Sequence, residues 1–201
     1  MPSESSHRVL AGWGFLWCAL LAGCHSAHVA DPVTSKLAAS DPDTQLMFWH
    51  TLAERPMTSN DDALHGMLLY LDEKDDCASY ADRVTLLKGR ALLPTDFNEP
   101  ADVAVTRGTV AVMFAQTLHL KGGWALHVFS PRNPRYAVRE LMYMSIFPYS
   151  SPQQTFSGSE FVGVIGALED YQKAGEPSRM NQPAHTPITA PPGGSAGGPQ
   201  T

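Results

Sequence analysis

Few residues in this chain have types and spacings that could do chemistry. His65 falls three residues after Asp62 and four after Asp61, so each acid shares a helical face with it and could form an acid–base pair for hydrolysis. A simpler reading is acids in a first helical turn, facing the positive end of the helix dipole, beside a surface histidine. His50, His65, His119 and His127 form no His-x-x-x-His pair, and no Cys-x-x-Cys element accompanies them. No metal site or other cofactor is therefore expected. The run Asp72-Glu73-Lys74-Asp75-Asp76 lacks the glycine and final glutamate of a calcium loop and reads as a solvated connector. Ser157-Gly158-Ser159 is not a nucleophile elbow. No catalytic residue is assigned, and the chain is not expected to be an enzyme.

Four residues remain as candidates for binding a ligand: Thr106, Arg107, Trp49 and Trp124. A guanidinium reads a carboxylate or phosphate through a bidentate fork. The alternative is an exposed arginine in a first helical turn. Trp49 and Trp124 are core anchors or platforms for stacking sugars. Cys77, at a helix start, could carry a lowered pKa.

The 201 residues are 43% hydrophobic, enough for one domain with accessory segments. A net charge of -6 argues against nucleic acid as a partner. Of the three cysteines, Cys18 and Cys24 lie in the N-terminal segment, so Cys77 has no disulfide partner in a mature chain.

Residues 9–22 are an apolar run, shorter than the roughly 20 residues of a membrane span but of signal-peptide length. It ends in Leu21-Ala22-Gly23-Cys24, which resembles the lipobox of bacterial lipoproteins. The resemblance implies a signal peptide over 1–23, acylation of Cys24 and a membrane partner through the lipid. Two or more acyl chains give stable attachment where one is marginal. His25, rather than an aspartate, follows the cysteine. That favours the outer membrane, facing the periplasm. Residues 24–44 read as a lipidated tether without apolar periodicity. Residues 174–201, rich in proline and glycine, read as a disordered tail.

The elements that would position the candidates lie in 45–173, which reads as all-α. A helix is expected over 45–54. Another starts at Thr58-Ser59 and carries Leu64, Met67, Leu68 and Leu71 on one face. A third covers 77–93. Thr106 caps a fourth, with Val105 and Val110 as a hydrophobic staple. Residues 124–129 could form a short β ribbon. A helix over 136–147 follows. Ser157 then opens the last, with Glu160 completing a capping box and Phe156 and Phe161 as the staple.

The capped starts at Thr58, Thr106 and Ser157 recur every 48 and 51 residues, and Tyr80-Ala81-x-Arg83 reappears as Tyr136-Ala137-x-Arg139. Such a period marks a repeat assembly whose units bury their apolar faces on each other. The stretch from Tyr80 to Pro94, with Lys88-Gly89 within it, then Thr106-Arg107 opening a helix, resembles the surface-layer-homology (SLH) repeat. The resemblance covers 77–120 and 136–172, with an echo at 45–72. It implies two to three helix–loop–helix repeats in a bundle, often a pseudo-threefold prism, and attachment to an envelope polysaccharide. It also gives the arginine of the Thr-Arg pair a role in holding an acidic sugar. Ser59 and Gly158 stand where the other repeats would carry that arginine, so one groove at most is equipped. The expected function is a non-enzymatic, lipid-anchored envelope protein that binds a glycan. An adaptor that binds another envelope protein is the alternative, and a hydrolase a minor one.

Overall fold

The computed structural model describes residues 26–39, 41–120 and 133–175. The signal peptide, Cys24, Trp124, the ribbon at 124–129 and the tail from 176 onward lie outside the described residues.

The described part is all-helical. It contains α1 (Pro42–Ala53), α2 (Asn60–Asp72), α3 (Tyr80–Gly89), α4 (Arg107–Thr117), α5 (Pro134–Tyr143) and α6 (Gly158–Lys173). These make three helix–loop–helix units: α1–α2, α3–α4 and α5–α6. Each start is set locally. Asp41, Ser59, Ser79, Thr106, Asn133 and Ser157 all accept a first-turn amide with their side chains. Pro42 and Pro134 sit at first positions, where a missing N–H costs nothing. The capping box of Ser157 and Glu160 is complete.

The units close on one another through their second helices. The segments ahead of α2, α4 and α6 pair around one end of the molecule. Val105 N donates to Thr58 O and Thr58 N donates to Phe156 O, both at 2.9 Å. The first amide of every second helix then reaches the neighbouring unit. Asn60 N donates to Val103 O at 2.8 Å, Arg107 N to Gln154 O at 2.7 Å and Gly158 N to Arg55 O at 2.9 Å. Donors that a helix start leaves orphaned are thus used to join the units. The helices pack in the same cyclic order: α2 on α3, α4 on α5 and α6 on α1.

The staples lie in the core this ring encloses. Val105, Val110, Phe156 and Phe161 are all fully buried. Burying each of these side chains contributes roughly 1.5–3 kcal/mol. The first unit has Thr58 where the others have Val105 and Phe156. It too is fully buried, and its hydroxyl has no partner.

Three expectations need correction. The first concerns register. α3 and α5 end in the same way: Leu92 N bonds to Leu87 O, Ile146 N to Leu141 O, and Ala91 and Ser145 take positive φ of 57° and 60°. Helix for helix, Tyr80 therefore corresponds to Pro134, and the Tyr-Ala-x-Arg match is two residues out of step. Burial agrees, since Arg83 is buried whereas Arg139 is exposed. The second concerns the caps: α2 is capped by Ser59 rather than Thr58, so the cap spacings are 47 and 51 residues.

The third concerns the tether, which is partly folded. Val33–Ser35 form a short 3-10 turn, and Val33 and Thr34 are buried. Upstream, Ala104 N donates to Ala27 O and Val29 N to Asp102 O. Residues 26–39 are a strap over the second and first units, not a free linker. α1 also begins at Pro42, earlier than expected, because Asp41 supplies the cap.

Candidate functional site

Arg107 is the first residue of α4, placed there by the Thr106 cap. Its side chain turns inward and is about 6% exposed. Nη2 meets Glu160 Oε1 at 2.6 Å, Nη1 meets Ser150 Oγ at 2.8 Å and Nε meets Thr155 O at 3.3 Å. The guanidinium carbon lies 4.8 Å from the centre of the Phe156 ring. All three nitrogens are thus engaged by the third unit, and one face is stacked on an aromatic. The Ser157 backbone amide, with Arg107 adding to it, holds the Glu160 carboxyl below its usual range. The ligand proposed from sequence for Arg107 is replaced by an internal carboxylate.

The matching positions explain themselves sterically. At Gly158 a Cβ would lie 1.6 Å from Leu52 O, against the end of α1. Glycine is required there by the close approach of two units. At Asn60 the side chain donates to Pro100 O at 2.9 Å.

Thr106 acts as the cap, accepting from Thr109 N and bonded to Thr109 Oγ1 at 3.0 Å. Trp49 packs edge-on to Phe48 and faces Gly66 of α2, where a Cβ would meet its ring at 3.0 Å. It is a half-buried core residue of the first unit, not a platform beside Arg107. Of the candidate ligand set, chain adjacency alone joins Thr106 and Arg107, and Trp49 belongs to another part of the core.

Asp61, Asp62 and His65 do come together, but inside the protein. His65 is fully buried and Asp62 is about 1% exposed. His65 Nδ1 contacts Asp75 Oδ2 at 2.6 Å, and Arg83 Nε binds the same oxygen. A carboxylate can only accept, so both nitrogens donate to it. Arg83 Nη1 also donates to Asp61 Oδ1 at 2.7 Å. Thr34 joins from the strap, with its hydroxyl on Asp61 Oδ2 at 2.7 Å and its amide on Asp62 Oδ1 at 2.9 Å. Burial raises the Asp62 carboxyl above the usual range. Burial pushes Asp75 the same way, but hydrogen bonds from His65 and Arg83 outweigh it and hold that carboxyl low. Asp62 Oδ2 and His65 Nε2 are buried without a partner. A general acid or base needs reach to a substrate proton, and His65 and Asp62 are buried away from solvent, while Asp61 is partly exposed but held by Arg83 and Thr34. The cluster's arrangement suits holding α2, α3 and the strap together.

The charged connector after α2 is not wholly solvated, since Asp75 is one of those buried carboxylates. Cys77 also departs from expectation. Burial first, then the nearby Asp75 carboxylate, pushes its thiol up to about 11. No group of His, Cys, Asp and Glu side chains among the described residues is arranged to hold a metal ion.

Sequence reasoning missed an open groove of about 480 Å³ at the end of α5 and the start of α6. It is lined by Met142, Ile146, Phe147, Pro148 and Val164, with Glu160 at its polar side. Tyr143 and Tyr149, next in sequence to its lining, are 67% and 96% exposed. The proline-bracketed stretch Pro148–Pro152 was the available signal, but proline marks a turn without saying what the turn leaves open.

No family model, curated protein or solved structure matches this chain.

Proposed function

We propose that this protein is a non-enzymatic lipoprotein of the bacterial envelope, anchored through Cys24 in the outer membrane, whose three-unit helical ring is an adaptor for another envelope protein. The observation that carries the adaptor reading is the engagement of Arg107. Its guanidinium, the group suited to an acidic sugar, is occupied by Glu160, Ser150 and Thr155. The apolar groove beside α6, with Tyr143 and Tyr149 exposed near it, is chemically suited to a protein surface rather than to a charged glycan. The non-enzymatic reading draws support from the burial of His65 and Asp62. The anchor rests on the Leu21-Ala22-Gly23-Cys24 resemblance to a lipobox.

Binding of an envelope polysaccharide is the second reading. Cyclic pairing of three helix–loop–helix units favours it, being the arrangement that the SLH resemblance implies. Co-sedimentation of the Cys24→Ser protein with purified cell-wall and outer-membrane glycan separates the two. The adaptor reading expects no retention. Retention that Tyr149→Ala abolishes would reinstate the glycan. Labelling of wild type, but not of Cys24→Ser, with a palmitate analogue tests the anchor.

A further inference from the structure

The strap is hydrogen-bonded to the folded part close in sequence to Cys24. Ala104 N donates to Ala27 O at 2.8 Å and Val29 N to Asp102 O at 2.7 Å. His28 Nδ1 lies 3.0 Å from Asp102 Oδ2. Farther along, Val33 is buried, and Thr34 is tied to Asp61 and Asp62. Among the described residues, the first backbone hydrogen bond of the strap falls at Ala27, three residues beyond Cys24. Three extended residues span at most about 10 Å. A flexible linker of about 20 residues would reach about 25 Å.

We infer that acylated Cys24 holds the α3–α4 connector, residues 95–102, against the lipid headgroup layer, fixing the domain in one orientation on the membrane. The inference rests on the lipoprotein reading above. Asp96, Glu99 and Asp102 are exposed on this connector, and His28 pairs with Asp102. An acidic face is not drawn to anionic lipid. The short covalent link, rather than charge attraction, sets the apposition. α2 starts at the same connector: Asn60 Nδ2 donates to Pro100 O at 2.9 Å and Asp61 N to Ala101 O at 3.0 Å. It then runs 13 residues. That is about 18 Å of helix, and Lys74 follows its last residue by two positions.

The test uses full-length lipidated protein in phosphatidylcholine vesicles that contain a headgroup-linked quencher. In a Cys77→Ser background, a fluorophore is placed at Glu99→Cys or at Lys74→Cys. The Glu99 probe is expected to be quenched several-fold more than the Lys74 probe. Inserting about 20 Gly/Ser residues between Ser26 and Ala27 is expected to erase the difference. Protein that floats with the vesicles yet shows equal quenching, or more at Lys74, overturns this inference and leaves the anchor standing. Protein that neither floats nor incorporates a palmitate analogue overturns the anchor and this inference with it.

Discussion

Arg107 Nη2 and Glu160 Oε1 meet at 2.6 Å, joining the first turn of α4 to the first turn of α6. The same glutamate closes the capping box of Ser157 through its other oxygen, at 2.9 Å from Ser157 N. One carboxylate thus terminates a helix and locks two units together. Arg107→Ala is expected to cost about 2 kcal/mol of stability, because Ser150 and Thr155 lose their donor along with Glu160. Arg107→Lys should recover only part, since an ammonium cannot hold three acceptors in a planar fork. Urea unfolding followed by helical circular dichroism reads both. Wild-type stability in Arg107→Ala would show that the contact holds nothing together.

Gly158→Ala should be far worse than its chemistry suggests. A methyl there would stand 1.6 Å from Leu52 O, and that carbonyl belongs to backbone at the end of α1. The α1–α6 contact must open, at a cost of about 3 kcal/mol or more. Gly166 is the control. It sits in the same helix, and nothing lies within 4 Å of a Cβ built on it. Gly166→Ala should stabilise by about 1 kcal/mol through helix propensity alone. Thermal melting of the two variants should move in opposite directions.

These two positions show what a linear pattern carries and what it does not. The caps and staples were legible because a cap and the residues it serves lie within a few positions of each other. Ser157, Glu160, Phe156 and Phe161 could be assigned roles from spacing, and they hold them. The all-α fold followed from such local signals. The fate of Arg107 was not legible, because its partners Ser150, Thr155 and Glu160 lie 43 to 53 residues away. A glycine at 158 read as a missing arginine, although only the approach of Leu52 explains it. The strap was hidden for another reason. It carries little apolar periodicity, and its hold on α2 runs through Thr34, Asp61 and Asp62. Val33 and Leu37, four apart, were its single hydrophobic signal.

Cys77 offers a chemical check on the buried cluster. The sequence places Cys77 at a helix start, where a thiol is ordinarily activated, but α3 begins three residues later, at Tyr80, and burial and Asp75 hold this thiol at about 11. Against an ordinary thiol value of 9.0, that lowers the thiolate fraction about a hundredfold. Iodoacetamide at neutral pH should therefore modify Cys77 about a hundredfold more slowly in the folded protein than in urea. Equal rates would mean that the α2–α3 connector is open in solution.

The buried carboxylates predict a pH dependence with two opposed parts. Asp62 faces Asp61, Thr34 and Ser59, and burial lifts its folded pKa above the ordinary carboxyl value of 3.8. Folding therefore takes up a proton, so the stability linked to Asp62 is complete below that value and is lost as pH rises through the raised one. Asp75, held by His65 and Arg83, runs the other way. Its folded pKa is lowered, so its contribution is present above 3.8 and is lost as pH falls through the folded value. Asp62→Asn keeps an acceptor for Thr34 N and removes the buried charge. It should gain about 1 kcal/mol at neutral pH, an advantage that shrinks as pH falls toward 4. Asp75→Asn should lose about 3 kcal/mol at neutral pH, because Arg83 is left buried beside a neutral amide. Urea midpoints measured from acid to neutral pH would separate the two slopes. A loss of stability in Asp62→Asn that grows with pH would show that the ionised carboxylate is what the strap requires.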